Sequence, residues 1–103
     1  GRADVVLKVL PIGDNLERAL TMCDENTKKG IEMVLKSFRQ FLEGEGIEEI
    51  DPLDEEFDPN FCEAIMSEPA AEGVEAGYVK EVFLKGYKRG DKILRYAQVK
   101  VTC

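Results

Sequence analysis

The spacing of apolar residues changes once along this chain, at Gly46, and that change restricts the fold more than any other feature. Before it, Val5, Val9, Ile12, Leu16, Ala19 and Cys23 recur in steps of four and three. Such steps lay one seam along a helix, because a helical turn takes about 3.6 residues. They predict a first helix from Asp4 to Met22. Pro11 and Gly13 fall inside it; proline removes an internal hydrogen bond and glycine costs about 1 kcal/mol relative to alanine. A kink or weakened turn, held by tertiary packing, is expected there. The polar run Asp24 to Lys29 predicts a loop, with Asn26 or Thr27 as the next N-cap. A second helix then carries Ile31, Val34, Leu35, Phe38, Phe41 and Leu42 on a wide apolar face and ends near Gly44 and Gly46.

Beyond Gly46 the runs are short, rich in Val, Ile and Tyr, and separated by Asp-Pro, Glu-Pro and glycine breaks. Strands are predicted at Ile47–Ile50, Glu63–Ser67, Tyr78–Leu84, Lys92–Arg95 and Ala97–Val101, forming a small sheet. In the last run Ala97, Val99 and Val101 share one face, while Gln98, Lys100 and Thr102 share the other, expected to meet water. Arg89-Gly90-Asp91 supplies the glycine of a tight hairpin, which accounts for that triplet without any adhesive role. The fold class is therefore α+β, with a helical hairpin over residues 1–46 and an all-β domain over residues 47–103.

One copy of a chain of 103 residues with no Trp has difficulty assembling a large core. Two antiparallel helices bury only the strip where they meet, so a homodimer is expected, its four helices forming a bundle. Val9, Ile12, Leu16, Leu35, Phe38 and Leu42 are the candidate dimer interface. A net charge of -7 argues against binding nucleic acid or an anionic membrane surface. Cys23, Cys62 and Cys103 are odd in number and far apart, which suits neither a disulfide framework nor a zinc site and fits the reducing cytoplasm. The apolar stretch Val5–Ile12 is too short for a membrane span. The chain opens without Met, directly in an amphipathic pattern, which points to a longer N-terminal helix cut away.

The absence of His excludes the triads, metal sites and neutral-pH bases that depend on it. The acidic group Asp51, Asp54, Glu55, Glu56 and Asp58 does not match a calcium-loop spacing and reads as a solvated loop. Gly44-Glu45-Gly46 follows a helix rather than opening one, so it caps a helix instead of cradling phosphate. No catalytic residue, metal or cofactor is expected.

Several motifs then fall in one order. Leu10-Pro11-Ile12-Gly13-Asp14-Asn15-Leu16-Glu17-Arg18-Ala19-Leu20 is followed by Gly30-Ile31-Glu32, Gly46-Ile47-Glu48-Glu49-Ile50 and Phe57-Asp58-Pro59-Asn60. Glu63-Ala64-Ile65-Met66, Val82-Phe83-Leu84-Lys85-Gly86-Tyr87 and Leu94-Arg95-Tyr96-Ala97-Gln98-Val99-Lys100-Val101 complete the series. In this order the chain resembles the GrpE family of nucleotide exchange factors from about Leu7 to Val101. It departs at Gly13, where the family has a hydrophobe, at Cys62, usually His, and at Tyr96, commonly Pro or Ala.

The resemblance implies a parallel-paired dimer with a four-helix bundle and a β-domain, the wing, on each subunit. It further implies a non-enzymatic protein whose wing engages the nucleotide-binding domain of a DnaK-type chaperone, opens its cleft and promotes ADP release. By the same resemblance Phe83, Lys92 and Val101 align with chaperone-contact positions and Gly46 with the glycine joining bundle and wing. From the residues alone, Phe83 reads equally as core, Lys92 as an ordinary solvated lysine and Val101 as core. A structural scaffold whose β-domain binds some other protein stands as the alternative function.

Overall fold

The computed structural model describes residues 2–103, with side chains from Val5 onward. Two helices precede six strands: α1 (Arg2–Leu20), α2 (Glu25–Gly44), β1 (Ile47–Ile50), β2 (Cys62–Glu68), β3 (Val79–Leu84), β4 (Gly86–Arg89), β5 (Lys92–Arg95) and β6 (Ala97–Thr102). The class is α+β. Two compact units result, one extending to Ile47 and the other Glu48–Cys103.

Helix α1 runs unbroken through Pro11 and Gly13. The aromatic ring of Phe38 on α2 holds that turn: a Cβ at Gly13 would lie 2.8 Å from its Cζ and 2.9 Å from its Cδ1. Only a residue without a side chain lets the ring lie there. Helix α1 stops two residues before the expected Met22, because Thr21 N–H and Met22 N–H donate to the Arg18 and Ala19 carbonyls at 3.1 Å, tightening the last turn. Helix α2 begins inside the stretch expected to be loop. Its N-cap is Asp24, not Asn26 or Thr27: the Asp24 carboxylate accepts the Thr27 N–H at 2.8 Å. That hydrogen bond from the Thr27 backbone holds the Asp24 carboxyl below its ordinary pKa of 3.8. Val6, Leu10, Leu35 and Leu42 are buried in this unit, and Arg39 pairs with Glu17 across the helices at 3.2 Å.

The β-unit holds two three-stranded sheets rather than one, ordered β1-β4-β5 and β2-β6-β3. Strand β4 is an element the residue pattern did not predict; Lys85 alone separates it from β3. Strands β4 and β5 form the expected hairpin, closed at Gly90 with φ of 57°. Strand β6 lies centrally, parallel to β2 and antiparallel to β3. Ile50, Cys62, Val79, Ala97 and Val99 form the core, with Phe57, Phe61, Val82, Ile93 and Val101 against it. Ile50 comes from β1 and Ile93 from β5, so one core serves both sheets. Gln98, Lys100 and Thr102 are half-buried instead of fully solvated. Neighbours on both sides of a central strand cover them: Lys100 pairs with Glu81 at 3.3 Å, and Thr102 Oγ1 accepts the Tyr78 N–H at 3.1 Å.

Candidate functional site

The residues with an expected role divide between the two units. In the β-unit, β3 slips register between Val79 and Glu81 and again between Val82 and Leu84. Each slip breaks the two-residue alternation. Val79 and Phe83 therefore do not share a face as strict alternation required; Val79 and Val82 turn to the core, while Phe83 is 37% exposed. Val101 pairs with Val79 at the far end of β3 from Phe83 and packs against the core. Lys92 is exposed on β5, in the other sheet, opposite Arg89 beside the hairpin turn. The fold thus sets Phe83 and Val101 on adjacent strands and Lys92 on a separate sheet.

Charge-assisted contacts stiffen the sheet that carries Lys92. The Arg95 guanidinium donates twice to the Lys85 carbonyl, at 3.0 Å from Nε and 2.7 Å from Nη2, and lies 5.2 Å from the Tyr87 ring centroid. Lys85 Nζ reaches Glu49 at 2.8 Å and Asp51 at 3.9 Å. Lys88 pairs with Glu48 at 3.6 Å and sits 5.2 Å over the Phe61 ring. Together these bonds tie β1, β4 and β5 to one another.

A further requirement falls on Gly86, which residue patterning did not single out. A Cβ there would lie 2.6 Å from the Ala97 amide nitrogen and 2.7 Å from the Arg95 carbonyl oxygen. Both obstacles are main chain and cannot rotate aside.

Cys62 is buried, and burial pushes its thiol pKa up, with the nearby carboxylates of Asp58 and Glu55 adding to the rise. Its thiolate form is accordingly disfavoured in the folded domain. Among the described residues no group of Cys, Asp and Glu could hold a metal ion, and no helix is long and apolar enough to cross a membrane.

Gly46 follows α2 with φ of 74°, a left-handed value that favours glycine, and its N–H donates to the Glu43 carbonyl at 3.0 Å. Glu48, two residues later, opens the β-unit. In the helical unit Leu35 and Leu42 are buried within a single hairpin, Val9, Leu16 and Phe38 are half-buried, and Ile12 is 56% exposed. Val34 and Phe41 on α2 are also exposed, at 51% and 50%. The large apolar side chains that one hairpin leaves exposed include Val5, Leu7 and Ile12 on α1 and Met33, Val34 and Phe41 on α2.

The sequence profile of the GrpE family matches residues 2–103. The chain belongs to the GrpE family. It is 50% identical over 101 residues to Protein GrpE of Clostridium acetobutylicum, covering 96% of this chain and 50% of that relative. Protein GrpE of Enterococcus faecalis is 46% identical over 101 residues, with 93% and 56% covered. Protein GrpE of Clostridioides difficile is 40% identical over 102 residues, with 96% and 49% covered. The chain spans about half the length of these GrpE relatives.

Proposed function

We propose that this chain is the part of a cytoplasmic nucleotide exchange factor that binds the nucleotide-binding domain of a DnaK-type chaperone and promotes ADP release. Membership of the GrpE family along residues 2–103 carries the reading. The β-domain supplies the grip, with exposed Phe83 as apolar contact and Lys92 as cationic contact; Val101, the third aligned position, packs against the core opposite Val79. The helical hairpin supplies dimerisation. A second copy would cover exposed Val5, Ile12, Val34 and Phe41 and the half-buried Val9, Leu16 and Phe38 in a four-helix bundle, which removes apolar surface from water. Gly46 forms the joint between the two parts.

The mechanism is linkage. The factor binds the open chaperone cleft better than the closed one, whereas ADP prefers the closed cleft. Each therefore weakens the other by the same factor, typically about 1–3 kcal/mol. The factor itself makes and breaks no bond.

Stopped-flow release of a labelled ADP from a DnaK-type chaperone tests this directly. A saturating amount of the chain should raise the release rate, and sedimentation should place the chain at twice its monomer mass. Release that continues at the unassisted rate would remove the exchange function and leave a scaffold role in its place.

A further inference from the structure

A groove of about 550 Å³ lies in the β-unit, and none of Phe83, Lys92 and Val101 lines it. Its apolar lining comes from Pro69, Ala71, Val74, Tyr78 and Val79. Val79 is the buried part of this lining, while Val74 is 58% exposed. Main-chain hydrogen bonds pin the lining at both ends. The Ala70 N–H donates to the Cys103 carbonyl at 3.1 Å, the Cys103 N–H to the Glu68 carbonyl at 2.9 Å and the Gly77 N–H to the Thr102 carbonyl at 2.9 Å. The Asp54 N–H donates to the Val79 carbonyl at 3.0 Å and fixes the remaining side. A groove held by its own backbone does not have to be organised by its occupant.

Its charge is one-sided. Asp54, Glu68 and Glu75 line it from three separate segments, and Lys80 is the single cation of the lining. Three carboxylates against one ammonium leave two net negative charges beside the apolar lining. A neutral apolar guest would leave those carboxylates without a counterion, and an acidic guest would be repelled. A cation on an aliphatic stem meets both conditions, with its methylenes on Val74, Tyr78 and Val79 and its head among the carboxylates. The volume is within the range of ligand pockets and admits such a side chain together with an apolar neighbour.

We infer that this groove docks an arginine- or lysine-bearing segment of a partner protein, next to an apolar residue of the same segment. None of Phe83, Lys92 and Val101 lines the groove, although Val101 pairs with its Val79, and a peptide titration of it needs no chaperone, so the site stands or falls separately from the exchange function.

The test is an amide-resolved NMR titration of the ¹⁵N-labelled full chain with N-acetyl-leucyl-arginine amide. A parallel titration uses the citrulline counterpart, which has the same shape and no charge. Saturable shifts are expected over residues 68–80 and at Thr102, with the arginine probe binding about fivefold more tightly. Exchanging both Glu68 and Glu75 for Gln should erase that preference. Should the double variant lose its fold, the solvent-exposed Asp54→Asn substitution alone must lower the preference. Equal affinity for the two probes, shifts that fall outside the groove, or a preference untouched by these variants would each overturn the assignment.

Discussion

Two register slips in β3 decide which of its side chains a partner can touch. They turn Val79 and Val82 inward and leave Phe83 at the surface. Replacing Phe83 with Ala should slow the ADP release that the chain stimulates from the chaperone severalfold, while the free energy of unfolding stays within about 0.5 kcal/mol of the parent, as for other surface changes. A large loss of stability with undiminished exchange would return Phe83 to the core. Gly86 should behave in the opposite way. Main-chain atoms of Ala97 and Arg95 occupy the place of its missing Cβ, so Gly86→Ala should cost about 1–3 kcal/mol in urea unfolding. Neither property was legible beforehand. Alternation reads the faces of an unbroken strand, and a slip depends on the partner strand. The demand on Gly86 comes from a strand later in the chain, not from a turn of its own.

Both helices were legible as elements, because their apolar residues keep a helical period over many turns. Their ends were not. Asp24 captures the Thr27 N–H and starts α2 before the candidate caps Asn26 and Thr27 are reached. Its folded pKa lies below 3.8, so its contribution is complete above that value and is lost as pH falls through the lowered folded one. Thermal melts of the parent and Asp24→Ala should differ by a few degrees at neutral pH and converge under acid. Two glycines inside the helices, Gly13 and Gly30, supply a second comparison. Nothing lies within 4 Å of a Cβ built at Gly30, so Gly30→Ala should stabilise by about 0.5–1 kcal/mol through helix propensity. At Gly13 the same gain meets the Phe38 ring, and displacing a packed ring costs about 1–3 kcal/mol. Denaturant midpoints should therefore fall in the order Gly30→Ala, parent, Gly13→Ala.

Across the whole molecule, the change of period at Gly46 revealed two kinds of structure, but not that the second half divides into two sheets around one core. Strand partners far apart in sequence leave no periodic trace, and the parallel β2–β6 pairing is of that kind. On the reading that Gly46 sets the joint, Gly46→Asp tests it. No atom lies within 4 Å of the added Cβ, and Asp tolerates a left-handed backbone better than most residues. The variant should keep its circular dichroism spectrum yet bind the chaperone more weakly; undiminished affinity would refute the role of Gly46. The position of β6 has a consequence for biosynthesis. Both β2 and β3 depend on this later strand for their ladder. While the chain is being translated, residues 62–84 wait on the ribosome without their keystone, and the domain closes only after Thr102 clears the exit tunnel. A premature stop before Ala97 would give quality-control proteases two orphan strands to remove.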